Sequence, residues 1–397
     1  MQLLTKNKLL TGIFAVLGVA GIAAWAYQLA GGLGVTGMSN ANSWGLYIAM
    51  FMFFVGLSAG GLIVASSASV FHITEYKKVA MPAIILSTVC ICCAGAFVLI
   101  DLGGIQRIWH LFASPNASSP LVWDICVITL YLFINVLYLH FMHKGAERAV
   151  SVLSRFALPT AVLVHSVTAW IFGLQIAKEG WFSAIMAPIF VASAMDSGLA
   201  LLLIVLIVLN AAKLFETPKK LIASLAGLLA TCVAIDGFLI FCEVITMAYP
   251  GAEGAATLAV MVSGPTAPFF WAEVVGGLLV PFLMLVFAKN RQNTALVTVA
   301  SVLVVAGVLC KRLWLLLTAF VIPNIVGAPG IMSDAWMMGG SYAPTAIEFL
   351  IVLGVPSLGA LAFMAIGSKL LVPAMAKEHA PARSSAAADL DLEAQVA

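Results

Sequence analysis

The stretch SWGLYIAMFMFFVGLSAGGLIVAS, Ser43 to Ser66, holds no charged residue, and its apolar side chains follow one another without the gaps of an amphipathic pattern. A helix that is apolar all round is buried or lies in a membrane. About 20 such residues are what a bilayer span needs, so this segment reads as a transmembrane helix. The rest of the chain agrees. Of 397 residues, 63% are hydrophobic and 9% charged, with a mean hydropathy of +1.11. A soluble domain carries about 25% charged residues, which excludes that class. Reading outward from Ser43, apolar runs place spans near 9 to 30, 44 to 71, 80 to 105, 121 to 142, 156 to 177, 183 to 211, 221 to 248, 268 to 288, 294 to 319 and 345 to 371. The expectation is an all-α integral membrane protein of about ten transmembrane helices. A polytopic bundle occupies 1–375, and a flexible, Ala/Ser-rich cytoplasmic tail occupies 376–397.

The basic residues orient the bundle. With the N-terminus inside, inner loops and tail hold 15 of the 19 Lys and Arg, the outer loops hold only Arg107 and Lys178, and Lys311 and Arg312 fall inside the ninth span. Lys and Arg accumulate on the cytoplasmic side, so both termini are expected there. The first apolar run is long enough to span and has no clear cleavage site, so it reads as helix one rather than a signal peptide. Net charge is only +2, with no basic block interleaved with aromatics, which excludes a nucleic-acid partner. All seven cysteines fall in or at the ends of apolar runs without metal-ligand spacing, so they read as packing thiols.

An ionisable side chain at the centre of a span costs about 2.5–3.5 kcal/mol on insertion scales, so it faces the bundle interior and has a partner. Seven acids meet that description: Asp101, Asp124, Asp196, Asp236, Glu243, Glu273 and Glu348. Glu273 and Glu348, with Lys311 and Arg312, read as buried ion pairs, and Glu243 is a further candidate partner for the two bases. Asp196 and Asp236 have no obvious basic partner but His165. Asp236 and Glu243, seven residues apart, share a helical face about 10 Å apart, so Asp196, Asp236 and Glu243 form a candidate proton relay. Only His165 among the histidines is deep, so no pair of imidazoles can hold a haem, and no iron–sulfur spacing occurs. The chain is expected to carry neither group.

Several segments in order carry a resemblance. They are Ser43–Ser66, the run IDLGGIQRIWHLFASPNASSPLVWD from Ile100 to Asp124, His165, WFSAIMAPIFVASAMDSGLAL from Trp181 to Leu201, FFWAE ending at Glu273, Lys311-Arg312, and SYAPTAIEF from Ser341 to Phe349. Together they resemble the NrfD/PsrC family, the membrane subunits of polysulfide reductase and related redox complexes. Ten spans and the last three segments are closest to its longer branch, similar to membrane subunits of a periplasmic hydrogenase and of the sulfite-reduction-associated complex. The resemblance implies a quinone-reactive membrane anchor of a respiratory oxidoreductase. It also implies a ferredoxin-like iron–sulfur subunit on the outer face, often with a molybdopterin subunit beyond, in a bacterial or archaeal cytoplasmic membrane. Menaquinone or another quinone is the exchangeable substrate. The family's quinone-contacting His and Asn are missing from Tyr47 to Phe54, which moves the candidate quinone ligands to His165, Asp101, His110, Asp124, Arg107 and Trp44. Quinone chemistry moves two electrons and two protons, so it needs a donor for each carbonyl and an ionisable group. Two rivals stand beside this reading, an ion-coupled secondary transporter and a purely structural anchor; no internal repeat supports the first.

Overall fold

In bilayer hydrocarbon the backbone must satisfy its own hydrogen bonds, so a lone span is a helix, and the computed structural model shows helices throughout. It describes residues 7–249, 251–322 and 340–378, so the expected tail lies almost wholly outside the described residues. Among the described residues ten helices are long and apolar enough to cross a membrane. They are α1 (Lys8–Gly31), α2 (Leu46–Val70), α3 (Lys77–Asp101), α4 (Pro120–Lys144), α5 (Glu147–Gly173), α6 (Met186–Ala211), α7 (Lys219–Ala248), α8 (Ala267–Leu285), α9 (Thr294–Val321) and α10 (Ala346–Glu378). Two boundaries differ most from the sequence reading. α5 starts at Glu147 rather than 156, because its first two turns carry Arg148 and Arg155 at the membrane edge, where charge is tolerated. α10 runs to Glu378, past the expected start of the tail at Ala376.

The decisive segment is the axle of the molecule. All but three residues of α2 are buried, and α3, α5, α6, α9 and α10 all pack on it. Lipid tails are as apolar as leucine, so helices associate by close backbone approach and polar contacts rather than by the hydrophobic effect. Gly60 and Gly198 mark the α2–α6 crossing: a Cβ on Gly60 would lie 2.1 Å from the Gly198 carbonyl carbon. Gly61 meets the Ala83 carbonyl of α3 as closely. Gly60 and Gly61 thus serve helix packing. Similar crossings join α1 to α10 through Gly21 and Gly354, and α8 to α9 through Gly277 and Gly307.

α8 is not uniform. Ala267–Trp271 is α-helical, Ala272–Leu279 is π-helical and Val280–Leu285 returns to α. A π segment re-aims side chains by one position and is frequent at functional sites; here it carries Glu273 inward. The helix order places the loops after α1, α3, α5 and α7, with the end of α9 and the start of α10, opposite the start of α1 and the end of α10, which mark the termini-bearing end.

Candidate functional site

At that opposite end a buried polar knot ties four helices together. Gln28 on α1 donates its amide to the Ile100 carbonyl of α3 at 3.0 Å, and the Tyr47 hydroxyl of α2 donates to Gln28 Oε1 at 2.6 Å. Glu348, at the start of α10, accepts from the Tyr342 hydroxyl at 2.5 Å and from the backbone N–H groups of Gly37 and Thr345 at 2.7 and 2.8 Å. The Tyr342 oxygen in turn accepts the Leu46 N–H at 2.8 Å. Gly45 is obligatory here, since a Cβ would meet the Tyr342 ring at 2.5 Å. Burial and hydrogen bonding to Glu348 push the Tyr342 phenol above its ordinary value. Asp101, the last residue of α3, faces Tyr47 and Glu348 electrostatically, and its Oδ1 is buried without a hydrogen-bond partner among the described residues. The sequence reading expects Glu348 in an ion pair; it is held instead by hydroxyl and backbone donors.

Beside the knot lies an aromatic cluster. Trp44 stacks on Trp181 at 5.9 Å and meets Phe172 edge-on at 5.7 Å; Phe190 stacks on Phe172, and Phe320 closes on Trp181. Lys178 donates to the Ala319 carbonyl at 2.8 Å and sits 5.0 Å over the Phe320 ring. Burial holds its pKa below the usual lysine value.

Deeper, α6, α7, α8 and α9 assemble a charge cluster. Lys311 donates to both Asp236 oxygens, at 2.8 and 2.9 Å, and lies 3.4 Å from Glu273, whose other oxygen accepts the Trp314 indole N–H. Asp236, expected to lack a basic partner other than His165, therefore has one. Glu243 is the group that stands apart from the bases: it accepts from Ser183 at 2.8 Å. Arg312 donates to Ser193 at 2.6 Å and stacks over the Phe190 ring at 4.1 Å. Asp196 is fully buried, and neither of its carboxylate oxygens has a hydrogen-bond partner among the described residues. Buried charges stripped of water are stable only when paired or hydrogen-bonded, so this cluster is coherent around Lys311 and open at Asp196 and at Arg312. Arg312, expected in an ion pair, has no carboxylate partner among the described residues and keeps Nε and Nη1 unbonded.

The six expected quinone ligands are not one constellation. His165 is buried, with its ring nitrogens 2.5 Å from the Ala161 carbonyl and 3.0 Å from the Val55 carbonyl. Asp124 is buried and accepts from Thr168 at 2.6 Å. His110 stacks on Trp109 at 3.8 Å, and both His110 and Arg107 are exposed on the α3–α4 connection. Trp44 belongs to the aromatic cluster, and only Asp101 joins the polar knot. Sequence reasoning passes over Gln28, Tyr47 and Tyr342. Gln28 has a signal, being the single amide in an otherwise apolar α1.

A ten-helix membrane bundle with its polar groups buried and gathered toward one end defines a polytopic membrane subunit rather than a self-contained soluble enzyme. Residues 34–324 match the family described as polysulphide reductase, NrfD. The chain is 38% identical over 387 residues, 89% of each chain, to a Halobacterium salinarum protein provisionally designated a dimethyl sulfoxide reductase membrane subunit. It is 30% identical over 375 residues, 92% of this chain and 94% of the other, to the Hdr-like menaquinol oxidoreductase integral membrane subunit of Archaeoglobus fulgidus. Over 398 aligned positions it is 26% identical to a selenate reductase subunit of Mesobacillus selenatarsenatis, covering 90% of this chain and 92% of that one. The chain belongs to the NrfD family.

Proposed function

We propose that this protein is the quinone-reactive membrane subunit of a multi-subunit respiratory oxidoreductase. It exchanges electrons between the membrane quinone pool and an iron–sulfur subunit docked on the end opposite the termini, with a molybdopterin or other catalytic subunit beyond. The basic residues of the termini-bearing end favour that end as cytoplasmic, which puts the docked subunits outside a cytoplasmic membrane. The name of the menaquinol-linked Archaeoglobus relative supports menaquinone as the carrier.

The observation that carries the reading is the knot around Asp101. A quinol oxidised at that end must give up two protons and two electrons. Asp101 Oδ1, buried and without a hydrogen-bond partner among the described residues, offers an acceptor for one proton, and the Tyr47 oxygen, whose own proton goes to Gln28, offers an acceptor for a quinol hydroxyl. General acid–base help of this kind is worth about 10²–10⁴-fold. Exposed Arg107 and His110 lie on the loop above, where a docked subunit would cover them. The chain itself is expected to hold no haem or cluster, so electrons leave through the partner. The test is quinol turnover by the purified complex: Asp101→Asn and Tyr47→Phe should each lower it at least about tenfold, or roughly 1.4 kcal/mol of barrier, with assembly intact. Wild-type rates in both variants would place the site elsewhere.

A further inference from the structure

At the termini-bearing end two short turns face each other. α2 ends at Val70 and α3 starts at Lys77, while α4 ends at Lys144 and α5 starts at Glu147. Between them lies a cavity of about 540 Å³, inside the range of about 300–1,000 Å³ that holds small ligands. The α2–α3 turn brings His72, Thr74 and Lys77 to its wall, and the α4–α5 turn brings Gly145, Glu147 and Arg148. Among the described residues neither Lys77 nor Arg148 pairs with an acid, and Glu75, the other carboxylate of these turns, lies 3.8 Å from Lys220. α5 also begins without a side-chain cap, so its first turn adds N–H groups at the kind of helix end that favours anions.

Below this mouth the wall changes character. Tyr138 is six residues inside the end of α4, about 9 Å along the helix at 1.5 Å per residue, and it spends its hydroxyl proton on the Ala65 carbonyl at 3.2 Å. The lining there is mainly apolar, from Ala65, Ala80, Met142 and Val150, with the hydroxyls of Ser69 and Ser151 among them. The rim is apolar as well: Phe71 and Ile73, on either side of His72, are 61% and 38% exposed. Large apolar side chains left open beside a base belong at the border between headgroups and hydrocarbon. A cavity that is basic at the helix ends and apolar one to two turns further in fits an amphiphile with an anionic head. A free ion would leave the apolar wall unused.

We propose that this cavity binds one anionic phospholipid from the leaflet on the termini-bearing side. Lys77, Arg148 and His72 hold the headgroup phosphate, Arg148 through the planar pair of N–H donors that suits phosphate oxygens, and a hydrocarbon chain lies along Ala65, Ala80, Met142 and Val150. Basic pockets between membrane helices on the cytoplasmic side recognise lipid headgroups in this way. The charge balance of the lining selects among phosphates. Lys77 and Arg148 against Glu147 leave one net positive charge, which matches a singly charged phosphodiester better than a monoester carrying about −1.5 to −2. Lys78 and Lys144, exposed and outside the lining, draw anionic lipid to this face. Because its walls come from both turns, a bound lipid ties the α2–α3 pair to the α4–α5 pair and stabilises the bundle. The site lies at the face opposite the proposed quinone chemistry and does not depend on it.

The test uses the whole complex, washed free of lipid in detergent and titrated with phosphatidylglycerol, with phosphatidylcholine of the same chains, or with inorganic phosphate. Native mass spectrometry counts the bound lipid, and thermal unfolding reads the stabilisation that binding confers. Wild type should retain one phosphatidylglycerol in preference to phosphatidylcholine and gain stability from it, while inorganic phosphate should give no such gain. Lys77→Gln and Arg148→Gln should each weaken phosphatidylglycerol binding about fivefold, the attraction typical of one base at an anionic lipid surface. Lys289→Gln, which removes an exposed base from the α8–α9 connection on the same side but outside the cavity, should leave it unchanged. Should the charge variants not assemble, Ala80→Leu makes the same test from the apolar side, filling the chain-binding wall at constant charge and excluding the lipid. Binding unchanged in the variants, equal retention of the two lipids, or stabilisation by inorganic phosphate as large as that by phosphatidylglycerol would each overturn the lipid site.

Discussion

Removing both partners of the Lys311–Asp236 pair should cost far less than the sum of removing each alone. The pair is fully buried, with two short hydrogen bonds at 2.8 and 2.9 Å. Deleting one member of a buried pair costs about 3–5 kcal/mol, because the survivor stays desolvated without compensation. In Asp236→Leu, Lys311 keeps Glu273 at 3.4 Å, which puts the loss at the low end, about 3 kcal/mol. In Lys311→Met, Asp236 and Glu273 face each other and Asp196 with only the more distant Arg312 for balance, so about 5 kcal/mol is expected from the same range. Asp236→Leu with Lys311→Met replaces the pair by apolar groups of similar size, an exchange that is often neutral. The double variant still leaves Glu273 buried without its base, so it should lose less than Lys311→Met and far less than the sum of the two single losses, a coupling of several kcal/mol in the cycle. Detergent-denaturation midpoints of the purified subunit, followed by circular dichroism, measure all three. Single losses below about 1 kcal/mol, well under the range for a buried pair, or losses that simply add, would show that the cluster is solvated and the burial argument wrong.

Other consequences are independent of that cluster. Gly60→Ala forces a methyl to within 2.1 Å of the α6 backbone, and overpacking of this kind costs about 1–3 kcal/mol or more; the same denaturation assay should register it, while Gly95→Ala, which meets nothing within 4 Å, should be silent. Trp314→Phe removes the indole N–H that Glu273 accepts, a hydrogen bond to a charged group worth about 1.5–3 kcal/mol, and the loss should vanish when Glu273 is already Leu, which has no acceptor. Tyr342 gives a pH signature: its phenol is raised in the folded state, so above about pH 10, the ordinary phenol value, the native protein binds more protons than the unfolded chain and stability falls as pH rises. Below that pH the contribution is fully present, and Tyr342→Phe should flatten the decline measured between about pH 10 and 11.

The spans are legible because a run of about 20 apolar residues in a bilayer has one solution. Pairing within the bundle is not, and particular residues show why. Lys311 takes Asp236 over Glu243 because partner choice depends on how α7 and α9 are rotated against each other, and the two acids share one face of α7. Glu273 reaches Lys311 from a π-helical stretch, a local register that apolar periodicity cannot reveal. Tyr47 escapes a search of its segment for His and Asn, although a phenol oxygen can equally well hydrogen-bond a quinol. The buried face of α4 is readable in principle: Asp124, Tyr131, Asn135 and Tyr138 repeat at helical spacing, but in a membrane the buried face can be the polar one, the inverse of the soluble pattern.

The central claim is that quinone reacts beside Asp101 and Tyr47. A rival place exists, a groove of about 920 Å³ between α7, the short helix Ala252–Val262 and α8, lined almost wholly by apolar residues such as Val233, Phe241, Phe270 and Leu278. The direct measurement is photolabelling of the purified complex with a menaquinone analogue bearing a photoreactive group on its ring, competed with unlabelled menaquinone, and mass-spectrometric mapping of the adducts. Competed label on peptides containing Tyr47, Asp101 or Tyr342 is the result expected, because those residues alone among the described ones join a buried unpartnered carboxylate to a phenol at that end of the bundle. Competed label confined to the groove between Val233 and Phe282 would contradict the account and move the quinone chemistry to the other half of the molecule.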